Sequence, residues 1–219
     1  ATFGVGFIFR PLGGIIFGHF GDRLGRKSML IWTMTIMGVA TALIGSLPTY
    51  QTVGWVAPAL LVLLRCIQGV AVGGEWGGAA LMAVESAPPK LRAFYSSGVQ
   101  VGYSVGLLLA TGLVAILSGG LTSESFLAWG WRIPFLASGV LVIVGMYIRV
   151  RVGETPSFKR LEASAEVLKN PLGLLLRKYS GPMLLGGLIS IVPPLLGYVL
   201  TVYMLTYGTQ VLGLPQGQM

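Results

Sequence analysis

From Ser28 to Leu64 the chain reads SMLIWTMTIMGVATALIGSLPTYQTVGWVAPALLVLL, 37 residues without a single Asp, Glu, Lys or Arg. A helix that crosses a bilayer needs about 20 apolar residues. The run therefore holds two passes, divided at Pro48-Thr49-Tyr50-Gln51-Thr52. Ala93–Ser123 and Tyr179–Met219 are likewise free of charge. Only helices and closed barrels satisfy their own backbone hydrogen bonds in lipid. Runs this continuous, without strict polar–apolar alternation, select helices. Pro, Gly and polar breaks give six expected passes, near 1–20, 29–47, 57–84, 94–118, 131–149 and 181–206. The expected fold class is an all-α, multi-pass transmembrane helix bundle.

Composition agrees. Of the 219 residues, 54% are hydrophobic and 10% charged, against about a quarter charged in soluble domains, which excludes a cytosolic enzyme. The net charge of +8 is explained by its placement. One set of alternate loops holds Arg23, Arg26, Lys27, Lys90, Arg92, Arg149, Arg151, Lys159, Arg160, Lys169, Arg177 and Lys178. The other set holds Arg132 alone, while Arg10 and Arg65 fall inside passes. Cytoplasmic loops carry the Lys/Arg excess, so loops 21–28, 85–93 and 150–180 are assigned to the cytoplasmic side of the inner membrane. The basic excess is a topology signal, and a nucleic-acid partner is rejected. One cysteine, Cys66, and one histidine, His19, leave no internal disulfide and no clustered metal ligands. No metal and no organic cofactor are expected.

The chain opens at Ala1 inside an apolar stretch, without a basic n-region, and is expected to be an internal piece of a longer protein. Residues 151–178 alone have a soluble composition. Phe158, Leu161, Ala165 and Leu168 recur at helical spacing opposite Lys159, Glu162, Glu166 and Lys169, which predicts an amphipathic helix on the membrane surface. The expected organisation is a first bundle at 1–150, a cytoplasmic linker at 151–179 and the start of a second bundle at 180–219.

The loop Gly18-His19-Phe20-Gly21-Asp22-Arg23-Leu24-Gly25-Arg26-Lys27 is a glycine turn carrying one acid and three bases at a membrane face. It resembles the loop 2–3 signature of the major facilitator superfamily, G-x-x-x-D-R-x-G-R-K, at every defined position. Glu85 and Arg92 repeat the E-x6-R pattern of the sugar-porter-like branch, and Glu154-Thr155-Pro156 its E-[ST]-P motif. Arg65-x-x-Gln68-Gly69 with Gly73-Gly74-Glu75-Trp76-Gly77-Gly78, and Trp129-Gly130-Trp131-Arg132-Ile133-Pro134-Phe135, resemble the metabolite:H+ symporter family within that branch. The resemblance covers essentially the whole chain and implies helices 2 to 7 of a 12-helix transporter. It also implies a conformational gate in which Asp22, Arg23 and Arg26, on a turn shaped by Gly18 and Gly25, pair with Glu85, Arg92 or Glu154 when the cytoplasmic side is closed. The competing reading is plain anchoring by basic residues, for which an acid such as Asp22 has no use.

Ionisable residues inside passes are functional candidates by default. Arg10 and Glu75 lie about ten and nine residues before the cytoplasmic ends of their passes, at similar depth and of opposite sign. They are expected to approach one another or to share a water-filled cavity; a fixed structural ion pair is the alternative. On a helical wheel Arg65, Gln68 and Glu75 fall within about 80°, with Gly69, Gly73 and Gly77 beside them. Arg10 and Arg65 offer planar forks matched to a carboxylate, although Arg65 can also snorkel outward. Glu75 is the acid available in a pass to bind a proton, and the resembled family carries another in its helix 1. Gln100 and Tyr103, and Tyr198 with Thr201 and Tyr203, are candidate cavity-lining groups. Pro193-Pro194 and Gly197 are expected to break their helix, and Arg132 to anchor at the outer interface behind Trp129 and Trp131.

The functional expectation is secondary active transport of a small organic anion by a monomeric carrier in the lipid bilayer, using alternating access. The proton as coupling ion is implied by the resemblance. A carrier of zwitterions such as betaine or proline is the alternative. An ion channel would need a ring of like charges or a carbonyl filter, and a membrane enzyme a His/Asp/Cys constellation; the sequence offers neither.

Overall fold

The computed structural model describes residues 2–151, 153–155, 158 and 171–213. The chain divides into two units, Ala1–Lys169 and Asn170–Met219. The expected linker straddles that boundary, and most of its amphipathic helix lies outside the described residues.

In the first unit, α1 (Thr2–Leu24) turns at Gly25 into α2 (Arg26–Ser46). Gly25 has φ 95°, a region that a residue with a Cβ rarely adopts. A short α3 (Tyr50–Val53) leads to α4 (Val56–Ser86). Pro88 and Pro89 end α4 and, through a 3₁₀ turn, begin α5 (Arg92–Gly120). Thr122 caps α6 (Ser123–Ala128) by accepting from the Ser125 amide at 3.3 Å, and a second 3₁₀ turn opens α7 (Ile133–Arg151).

Among the described residues, five helical stretches are long and apolar enough to cross a membrane: Arg26–Ser46, Val56–Ser86, Pro89–Gly120, Gly130–Arg151 and Ser180–Gly197. The first expected pass forms α1, whose 23 residues, six of them glycine, are sufficient in length.

Those glycines let α1 lie closest of all helices along α4. A Cβ at Gly69 would strike the backbone of Gly6, and one at Gly73 the backbone of Arg10. Small residues that let backbones touch are how helices associate in lipid, where apolar burial gives no drive. A second seam joins α2 and α7, where Gly38 faces Val142, Gly45 faces Phe135 and Gly145 faces Met34. Ala40, Ile44 and Leu64 form the buried core between α2 and α4, with Leu47, Leu61 and Phe135 packed on it. Outside these seams large apolar side chains such as Ile8, Phe94, Leu108 and Ile143 stand exposed, as a lipid-facing surface requires.

The second unit contains α8 (Pro171–Lys178), α9 (Ser180–Tyr198), a π-helical turn at Val199–Tyr203 and α10 (Met204–Gln210). The break expected at Pro193-Pro194 is displaced: helix continues through Tyr198, and the irregularity follows as the π turn.

Candidate functional site

The first unit holds a half-open cavity of about 410 Å³ between α1, α2, α4 and α7. Three of the expected residues line it: Arg10 from α1, and Arg65 and Gln68 from α4. Arg65 Nη1 donates to Gln68 Oε1 at 3.1 Å, and Gln68 Nε2 donates to Thr41 Oγ1 at 2.7 Å. Thr41 Oγ1 in turn donates to the Met37 carbonyl at 2.7 Å. This relay fixes the Gln68 amide with its oxygen toward the arginine. Arg65 therefore points inward and does not snorkel. The Arg10 guanidinium lies 3.9 Å from the centre of the Phe7 ring, a cation–π contact that orients the fork. Ser138 and the side chains of Met34, Met37, Val72 and Val142 complete the wall. A cavity of this size holds a small ligand, and its polar groups are two cations, an amide and two hydroxyls.

Glu75 is not among the residues that line it, which corrects the expected approach to Arg10. Its Oε1 accepts from Arg149 Nη2 at 2.6 Å. The depth argument holds: Gly73, two residues from Glu75, touches the Arg10 backbone. The direction was the error. At 100° per residue, position 75 lies about 200° around α4 from position 73, so Glu75 faces α2 and α7 while Gly73 faces α1.

Gln100 and Tyr103 are exposed on α5, away from the cavity. Tyr198 belongs to the second unit, and its side chain lies outside the described residues. Thr41 and Arg149 were missed by the sequence reading. A hydroxyl inside an apolar pass was the signal for Thr41, and Arg149 was absorbed into the count of cytoplasmic bases.

The gate residues gather at the cytoplasmic ends of α1, α2 and α4. Arg26 pairs with Glu85 and, at 3.8 Å, with Asp22. Arg26 opens α2 and Glu85 closes α4, each at the end its own helix dipole disfavours; pairing offsets both. Among the described residues Glu154 pairs with no arginine. Its carboxylate accepts from the Lys27 amide at 3.1 and 3.3 Å and from the Thr155 amide at 3.0 Å. Gly25, the N-cap of α2, has no side chain for that task, so Glu154 supplies the anionic cap from a distant segment. A Cβ at Gly25 would meet that carboxylate. Arg23 Nη1 donates to His19 Nε2 at 3.5 Å. Arg92 is exposed at the start of α5, and Gly18 has open space around it. Partial burial pushes the Asp22 carboxyl above the ordinary carboxylate range; Arg26 pulls it back, Glu85 pushes it further up, and His19 pulls it down.

At the outer end, Arg132 Nη2 donates to the Leu47 carbonyl at 2.9 Å and lies over the Trp131 ring. Here the expected interface anchor also closes the C-terminus of α2. At the inner end Lys27 Nζ donates to the Val150 carbonyl at 2.7 Å. The α2–α7 pair is thus tied at both ends through backbone carbonyls.

A lipid-facing helical bundle with glycine seams, a charged cavity and a charge cluster at one face is the architecture of a membrane transporter. Comparisons agree. The profile of the "Sugar (and other) transporter" family matches residues 1–178. The shikimate transporter of Escherichia coli (strain K12) is 56% identical over 218 residues, covering 99% of this chain and 50% of that protein. The inner membrane metabolite transport protein YhjE of the same organism is 47% identical over 222 residues, covering 100% of this chain and 50% of that protein. Among solved structures, the proton:xylose symporter XylE bound to 6-bromo-6-deoxy-D-glucose superposes with a TM-score of 0.66 at 18% identity, covering 74% of this chain and 36% of that one. The chain belongs to the sugar (and other) transporter family of the major facilitator superfamily. It is a multi-pass inner-membrane protein of a family of transporters, not enzymes, and spans about half the length of the curated relatives it matches.

Proposed function

We propose that this chain is part of a proton-coupled carrier that moves a small organic carboxylate across the cytoplasmic membrane by alternating access. The observation that carries the reading is the convergence of Arg10, Arg65 and Gln68 on one otherwise largely apolar cavity. Two guanidinium forks and an amide present donors where a carboxylate and neighbouring hydroxyls would sit. Similarity to a shikimate transporter supports the carboxylate class, since shikimate is itself a hydroxylated carboxylate. Likeness in fold to a proton:xylose symporter is compatible with proton coupling. In the gate, Arg26 with Glu85 and Asp22 would hold the cytoplasmic face closed and part as it opens.

The test is uptake by the full-length protein in proteoliposomes under an inward proton gradient, with mono-, di- and tricarboxylates, shikimate, betaine and proline offered in parallel. Gradient-driven uptake of one carboxylate is expected, falling about tenfold or more in Arg10→Ala, as loss of a charged hydrogen bond implies. Uptake of zwitterions alone, or uptake indifferent to both the gradient and Arg10, would replace this reading with an osmolyte carrier or a uniporter.

A further inference from the structure

One guanidinium joins three helices beneath the cavity. From the last turn of α7, Arg149 donates through Nη2 to Glu75 on α4 and through Nη1 to the Leu30 carbonyl of α2, at 2.6 and 2.7 Å. The side chains of Arg149 and Glu75 are only 21% and 19% exposed, and Leu30 is 3% exposed. The Leu30 carbonyl also accepts from the buried Thr33 hydroxyl at 3.1 Å, and the Leu30 side chain faces Gly78 of α4. One to two turns outward, the same three helices line the cavity through Met34, Gln68, Val72 and Val142.

We propose that Arg149 is a positioning residue, clamping α2, α4 and α7 at one point so that the Arg65–Gln68–Thr41 relay meets the opposite wall, with Glu75 as the counter-charge of that clamp rather than the proton-coupling acid. The planar fork is what permits two acceptors on two helices to be held at once; a lysine ammonium reaches one of them. A largely buried charge left without its partner is strongly destabilising, whereas replacing both members is far better tolerated. That asymmetry separates a clamp from a proton carrier, because a carrier loses its function whenever its carboxyl is removed.

The cavity being the solute site is assumed from the proposed function, so the experiment has one arm that needs no transport. In the full-length protein, Glu75→Gln, Arg149→Gln, Arg149→Lys and the Glu75→Gln/Arg149→Gln double variant are compared by detergent melting and by shikimate uptake. Each single variant is expected to lower the melting temperature and raise the shikimate KM about fivefold or more, with Arg149→Lys resembling Arg149→Gln. The double variant should recover to within about threefold of the parent KM, with a melting loss smaller than the sum of the singles. Additive melting losses, or a double variant as inactive as Glu75→Gln while folding normally, would overturn the clamp. If the parent takes up no shikimate, the substrate reading fails and the melting cycle alone decides the clamp, in the same two directions.

Discussion

The α2 span and the α5 span have nearly the same mean hydropathy, 1.7 and 1.9, yet a third of the first is buried and none of the second. Hydropathy reports that a helix belongs in lipid and is silent about what it packs against. The difference comes from contacts of another kind. Glycines admit α7 against α2, and each end of the pair is tied by a long basic side chain to a backbone carbonyl. On α5, Gly98, Gly102 and Gly106 have nothing within 4 Å among the described residues, so the same residue type that fastens one helix in this chain leaves another without a neighbour.

The largest expected effect sharpens that contrast. Gly73→Leu drives a side chain into the Arg10 backbone, which cannot retreat as a flexible side chain can. We expect a loss of at least about 3 kcal/mol, the upper part of the range for overpacking, seen as little monodisperse protein on size exclusion. Gly102→Leu should change stability by less than about 0.5 kcal/mol. Equal losses at the two positions would dissolve the distinction between packed and open glycines.

Next in size is the cap that Glu154 brings to α2. Glu154→Ala should cost about 1–2 kcal/mol, the worth of an N-cap, and Gly25→Ala at least as much because φ 95° and the carboxylate both oppose a Cβ. Melting temperatures of purified protein would show it; an unchanged value for Glu154→Ala would mean that the inner end of α2 is held without its cap.

The smallest effect concerns Asp22. Its carboxyl titrates above the ordinary range, so the fold favours the protonated form. The stability this gives is full in acid, below the unfolded carboxylate pKa, and is lost as pH rises through the raised value. Asp22→Asn, neutral at every pH, should therefore melt slightly higher than the parent near pH 7 and equal to it in acid. A lower melting temperature at neutral pH would show that the contact with Arg26 outweighs burial.

Much of this architecture was legible in the sequence because lipid removes ambiguity: a charge-free run such as 28–64 can be little else than spanning helix. Arg10, Arg65 and Gln68 could be picked out for the same reason, as polar groups where polarity is expensive. Glu75 was equally visible and wrongly aimed, since a wheel gives directions within one helix and not the positions of its neighbours. Arg149 was hidden by its place at a helix end, where a base has an ordinary explanation. Gate partners divided similarly: Arg26 with Glu85 followed from charge, whereas Glu154 found backbone amides that no sequence pattern advertises.

The length of α4 has a mechanical meaning. A rod of about 46 Å that tilts by about 5° moves one end by about 4 Å relative to the other, already the whole reach of an ion pair. Glu85 sits at the tip of that rod, and Arg26 on the turn beside it. Their bond is therefore placed where a tilt of α4 about its outer end is felt most. Any larger rotation of α4 against α2 must either carry the turn along with it or release the pair, so a probe of this one contact would serve as a protractor for the bundle.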